Sequence, residues 1–180
     1  MTTITSEEIL EYNTHKHYVS LKCPYINSPF KLYKDMSSKR TGTVLEKIFE
    51  EFMVSKGYEK RKNYSSDHDR VFVMNGKEVK FEIKGSTLWG EYGEGRMRWQ
   101  QIRPSQDYDM MVFIAVFPSS MNFYYTTKSE IIDFVEVQDE NGDWPYNQHG
   151  GKKTNSGTFY IHGLPEDFPF MKPIEEMFND

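Results

Sequence analysis

DRVFVMNGKEVKFEIKGS, residues 69–86, is the stretch on which the reading of this chain turns. Two runs rich in Val, Phe and Ile flank Asn75-Gly76, the dipeptide preferred in a two-residue type I′ hairpin turn. With that turn, Met74 faces Lys77, Phe72 faces Val79 and Asp69 faces Glu82, and facing residues project from the same side of the sheet. Lys84 lies two residues beyond Glu82, so strand periodicity returns it to that side. Phe72, Met74, Val79, Phe81 and Ile83 share the other. The pattern predicts an apolar face that packs and a polar face on which Asp69, Glu82 and Lys84 converge.

Two carboxylates brought together across a ladder repel unless positive charge lies between them. A divalent cation supplies it, and an all-oxygen site suits Mg²⁺. Such an ion acidifies water and stabilises charge building on a phosphate, while a neighbouring lysine orients the water or neutralises the transition state. Asp, Glu and Lys are thus the parts for metal-assisted phosphodiester hydrolysis. The competing reading is a solvated face of cross-strand ion pairs. Asp67 competes with Asp69 as the ligand; in the same register it faces Lys84 and is placed for a salt bridge.

Outward from the hairpin, Val44, Leu45, Ile48, Phe49, Phe52 and Met53 recur at helical spacing and Gly57 stands where a helix ends, predicting an amphipathic helix from about Thr43 to Lys56. Toward the N-terminus the signals are weak: a short helix near Ser6–Asn13, then breakers at Pro24, Asn27, Ser28 and Pro29. After the hairpin, a glycine-punctuated segment leads to an expected short helix at Arg96–Ile102. MMVFIAVFP has the near-continuous apolarity of a strand buried on both faces. MNFYYTT is read as a neighbouring strand, and KSEIIDFVEV as a helix start or a further strand. GTFYIHG reads as a short strand and PIEEMFND as a brief helix.

The chain has 180 residues, 37% of them hydrophobic and 16% aromatic, which supports one folded α/β domain with a Phe- and Tyr-rich core. Cys23 is the lone cysteine, so no internal disulfide or zinc cluster is expected, and His15, His17 and His162 show no ligand spacing with it. No apolar run has the length of a membrane span, and the polar, acidic start MTTITSEEILEY is not a signal peptide; a cytoplasmic protein without membrane contact or organic cofactor is expected. The net charge of −5 argues against a protein that coats nucleic acid indiscriminately. The stretch from Lys39 to Arg103 is nevertheless net basic, and it holds the candidate chemistry.

Asp69, the hairpin, Glu82-Ile83-Lys84 and the preceding amphipathic helix together resemble the PD-(D/E)xK nuclease superfamily, and most closely a small type II restriction endonuclease. The resemblance covers about residues 40–118. It implies a restriction-endonuclease-like α/β (α+β) core, a mixed β-sheet flanked by helices, within a single nuclease domain spanning 1–180. It also implies that Asp69 and Glu82 ligate the metal, that the backbone carbonyl of Ile83 completes the shell, and that Lys84 is the catalytic lysine. Members often place a glutamate on the preceding helix, a role carried here to Glu46, with Glu50 and Glu51 as rivals. His68 stands where the motif's proline would be.

Arg96, Arg98, Gln100, Gln101 and Arg103 follow the Glu-x-Lys strand closely. Arginine suits phosphates and glutamine suits adenine edges, so these are candidate DNA contacts, against the alternative of an ordinary polar face with Trp99 and Ile102 packed inward. Gln100 or Gln101 is alternatively placed near the metal site. The loop Tyr146–Asn155 offers Asn147, Gln148, Lys152 and Lys153 as further DNA-binding candidates, or is simply a polar surface loop. Trp89 and Tyr92 either pack beneath the active-site loop or stack on bases. The C-terminal part, about 119–180, is assigned to recognition or dimerisation. The expected activity is Mg²⁺-dependent, sequence-specific cleavage of double-stranded DNA by a homodimer matched to a palindromic site, as in restriction-modification. A structure- or damage-directed nuclease of resolvase or repair type and an inactive DNA-binding module of the same fold are the alternatives.

Overall fold

In a computed structural model, residues 23–88 and 95–179 are described; the expected helix at Ser6–Asn13 and His15, His17, Trp89 and Tyr92 lie outside them. After a turn through Pro24–Asn27, a short helix α1 (Lys31–Lys34) leads into α2 (Ser38–Ser55). α2 begins five residues before the expected start at Thr43, because polar residues extend a helix already anchored by Leu45, Phe49 and Met53. It ends in a Schellman motif: Gly57 takes φ 89°, its N–H reaches the Val54 carbonyl at 2.9 Å, and Tyr58 N–H reaches Met53 at 3.1 Å.

β1 (Glu59–Arg61) pairs with β2 (Arg70–Met74), which turns through Asn75-Gly76 into β3 (Lys77–Thr87). Both turn residues have positive φ, 49° and 75°, as type I′ requires. The register is the one the turn dictates, from Met74 opposite Lys77 to Arg70 opposite Phe81. β5 (Met110–Val116) lies parallel to β3, and β6 (Met121–Thr127) and β8 (Lys172–Pro173) continue the sheet antiparallel, in the order β1-β2-β3-β5-β6-β8. The fold is a mixed sheet flanked by helices.

The sheet's faces carry separate cores. On one, α2 seats Leu45, Phe49 and Met53 on Phe72, Phe81, Ile83, Val112 and Ile114. On the other, a two-stranded ribbon of β4 (Met97–Ile102) and β7 (Phe159–Gly163), with helix α3 (Lys128–Val135), covers Met111, Phe113 and Ala115. β4 corrects the expected helix at Arg96–Ile102. Trp99 and Ile102 are both fully buried, as the alternative reading of this segment had them, and three residues apart. That helix-like spacing comes from a register shift between them, where Gln101 takes φ 57°. α3 settles the ambiguous KSEIIDFVEV through a capping box in which Thr127 and Glu130 satisfy each other's backbone N–H. Residues beyond 118 thus supply β6, β8 and much of the second layer, so this part builds the domain itself.

Candidate active site at the divergence of two strands

The site forms where β2 leaves β3. Regular pairing stops at Arg70–Phe81, so Asp69 is not a rung opposite Glu82, as the extrapolated register had it. Its own N–H bonds the Phe81 carbonyl at 2.8 Å, and its carboxylate Oδ2 accepts the Ile83 N–H at 2.7 Å. The carboxylate thus replaces the missing strand as partner to β3. Because N–H and C=O of one strand residue point the same way, the Ile83 carbonyl faces the same gap. The Asp69 backbone is pinned: Arg70 Nη1 donates to its carbonyl at 2.7 Å, and Asn63 Nδ2 reaches the His68 carbonyl at 2.7 Å. His68, in the position of the motif's proline, is buried with Nδ1 2.9 Å from the Asp107 carbonyl, an acceptor that requires the proton on Nδ1.

Glu82 and Lys84 project from the face opposite α2, at the rim of the second core. Their side chains are 7% and 15% exposed and meet at 2.5 Å, Nζ to Oε1. Burial pushes the Glu82 carboxyl above the usual carboxylate range; Lys84 opposes that shift, Asp69 adds to it, and Arg103 opposes it further. This is a carboxylate held under electrostatic tension that added positive charge would relieve. Tyr108, buried in the second core, ends in a hydroxyl with no hydrogen-bond partner among the described residues, its pKa raised by burial and by the charge of Glu82.

Glu46 reaches the same corner from α2, but its carboxylate is engaged by Arg70 at 2.9 Å, while Arg70 Nε holds Glu50 at 2.7 Å. Burial and then Asp69 raise the Glu46 pKa, against the pull of Arg70. Glu51 points to solvent. Asp67 is exposed and does not bridge Lys84, which belongs to Glu82.

Among the described residues, no three His, Cys, Asp or Glu side chains gather as a metal cluster. The donor set at the strand divergence still fits magnesium, which binds through one or two carboxylates and keeps several waters. Asp69 and Glu82 each have one carboxylate oxygen with no hydrogen bond among the described residues, and the Ile83 carbonyl lies in the same gap.

A cavity of about 550 Å³ opens beside Lys84, with Arg98, Gln100 and Gln101 in its wall. The shift in β4 turns both glutamines outward in succession, where an unbroken strand would bury one. Arg98 stacks on Tyr160 at 4.6 Å, and its N–H is held by Ser86 Oγ at 2.8 Å. Arg96 and Arg103 are exposed. In the Tyr146–Asn155 loop, Asn147 departs from its assignment to DNA. It is buried, with its amide spent on the carbonyls of His149 and Gly151 and on Ser156, so it holds the loop. Gln148 supports Gln101 by accepting its N–H at 2.7 Å. Lys152 and Lys153 are exposed, the latter paired with Asp143. The opposite cavity wall comes from Tyr33, Lys34 and the first turns of α2. Sequence reading missed these residues, since a four-residue helix leaves no periodicity.

No family model and no curated protein sequence matches the chain. Among solved structures, the bacterial homing endonuclease I-Ssp6803I is similar over 79% of this chain and 92% of that one, at a TM-score of 0.50 and 16% identity. The chain shares the fold of a nuclease. At that identity the likeness speaks for the architecture, the mixed sheet with flanking helices. No described helix is long and apolar enough to cross a membrane.

Proposed function

We propose that this protein is a magnesium-dependent DNA endonuclease of the PD-(D/E)xK kind, cutting phosphodiester bonds at Asp69, Glu82 and Lys84. The observation that carries the reading is the local exchange at the end of β2: the Asp69 carboxylate takes the Ile83 N–H beside a buried Glu82–Lys84 pair. A purely structural ion pair has no need to be buried next to a second carboxylate, where it costs desolvation.

In this reading Asp69, Glu82 and the Ile83 carbonyl hold Mg²⁺, which when bound supplies positive charge to the scissile phosphate and acidifies the attacking water. Lys84, fixed by Glu82, presents its ammonium to the charge that develops on phosphate oxygen. Water forms one new P–O bond as the P–O bond to a sugar breaks, leaving a phosphate on one end and a hydroxyl on the other. The second core closes the rear of Glu82 and Lys84 to solvent. Glu46 stands near Asp69, held in reserve by Arg70. Arg96, Arg98, Gln100, Gln101, Arg103, Gln148, Lys152 and Lys153 are assigned to DNA. The finer assignment is sequence-specific double-strand cleavage of restriction type, by two copies on a palindromic site.

The likeness to I-Ssp6803I favours one other reading, a homing-type endonuclease. Purified protein incubated with unmethylated phage DNA in Mg²⁺ or EDTA, beside Glu82→Ala, tests both. Many discrete bands that need Mg²⁺ and vanish in the variant are the result expected of a short recognition site, and few cuts point to a long one. Cutting of branched or damaged DNA alone would move the assignment to repair, and no Mg²⁺-dependent cutting of any substrate would overturn it.

A further inference from the structure

The cavity beside Lys84 has a second wall that the chemistry above does not use. α2 presents its N-terminus there with no acidic residue in the first turn, and the side chain of Ser37 makes no capping bond. The first turn of this 18-residue helix thus has no side-chain cap where Ser38 and Lys39 line the cavity, and a helix N-terminus favours an anion.

Three further observations point to a ligand. Tyr33 lines the cavity and is 7% exposed, yet its hydroxyl has no hydrogen-bond partner among the described residues. Lys34 is half-buried, and among the described residues its ammonium bonds the Thr87 hydroxyl at 2.8 Å and the Leu88 carbonyl at 3.1 Å and lies over the Tyr25 ring, in no salt bridge with a carboxylate. Burial pushes its pKa down, against smaller upward pulls from Cys23 and Asp35. Gly42, within α2 and on the cavity wall, has an ordinary helical φ, and a Cβ there would meet no protein atom within 4 Å. Glycine weakens a helix interior, and no described residue requires it at that place.

We propose that this cavity seats a phosphodiester of the DNA backbone next to the scissile one, held by the α2 N-terminus, Lys34 and the Tyr33 hydroxyl, with Gly42 leaving room for the sugar–phosphate chain. Lys84 and Arg98, on the facing side of the same cavity, make the seat continuous with the catalytic corner. The inference rests on the endonuclease reading and names a substrate contact within it.

The test is fluorescence anisotropy of a labelled DNA duplex in EDTA, where no cutting occurs, across a range of salt, alongside thermal melts. Tyr33→Phe deletes only an unpartnered hydroxyl, so its Tm stays level or rises while DNA affinity falls roughly tenfold, the worth of one bond to a charged group. Lys34→Gln lowers the slope of log affinity against log salt by about 0.9, one phosphate contact. Gly42→Ala raises Tm by roughly 2–4 °C, and Gly42→Leu blocks DNA without unfolding the chain. Wild-type affinity and salt slope in both Tyr33→Phe and Lys34→Gln would overturn the seat while leaving Mg²⁺-dependent cutting intact. A wild-type protein that neither binds nor cuts DNA would overturn both readings.

Discussion

Asp69 makes a structural bond and has a proposed part in holding metal, and the two separate by substitution. Its Oδ2 closes the end of β3 by accepting the Ile83 N–H, while its other carboxylate oxygen makes no hydrogen bond among the described residues. Asp69→Asn retains an acceptor for the Ile83 N–H and should melt near wild type but lose Mg²⁺ affinity by titration calorimetry. Asp69→Ala strands a part-buried N–H as well and should cost about 1–3 kcal/mol in denaturant unfolding. Lys84→Ala should lower the single-turnover cutting rate by on the order of 10²–10³. A fall of less than threefold would return Lys84 to the role of structural partner for Glu82. The Glu82–Lys84 pair, two residues apart on one strand, was legible in the sequence because strand periodicity alone puts both on one face. The bond from Asp69 to Ile83 was not, since it forms only where regular pairing has ended.

Among the elements, α2 and β2 are tied at the site by Arg70, which bonds Glu46, Glu50 and the Asp69 carbonyl from a side chain 17% exposed. Arg70→Met should cost about 1–2 kcal/mol, between the worth of an exposed pair and that of a buried one, and should weaken Mg²⁺ binding more than Glu50→Gln does. α3 depends on its capping box, so Thr127→Ala should cost about 1 kcal/mol. Glu130 of that box is held down to about 2, first by the Lys172 hydrogen bond at 2.6 Å and then by Thr127. A depressed carboxylate pKa stabilises above the unfolded value, near 4.5, and that stability drains as pH falls toward 2. Glu130→Gln should therefore melt below wild type at pH 7, and the two melting curves should converge by about pH 2.

At the scale of the molecule, the sheet is stabilised from both sides and closed by the end of the chain. Ile174 and Met177 enter the α2 core, and Phe178 stacks with Tyr58 at 5.4 Å and lies 5.9 Å from Phe52. Removing residues 172–180 would withdraw β8 and these side chains together. At about 1.5–3 kcal/mol for each buried apolar side chain, the loss rivals a typical domain's whole stability of about 5–15 kcal/mol. The truncated chain should show no cooperative melt by circular dichroism. The reading of residues 119–180 as recognition or dimerisation surface missed this load because their strands are short and their partners lie far off in sequence.

Local rules were enough for what neighbours along the chain decide. Asn75-Gly76 set the hairpin and its register, the apolar spacing of Leu45, Phe49 and Met53 set α2, and near-continuous apolarity marked β5 as the strand covered on both faces. Tertiary structure decided what distant segments settle between them. β4 is a strand because β7 pairs with it and Phe113 receives Trp99, at 5.6 Å between ring centroids. Asp69 reaches Ile83 because β2 peels away, and the cavity exists because α1, α2 and β4 meet at the open edge of β3. Turn and helix patterns act within a few residues and can be read from order alone. Pairing and packing choose among many partners by the surface each buries, and that choice is made only in three dimensions.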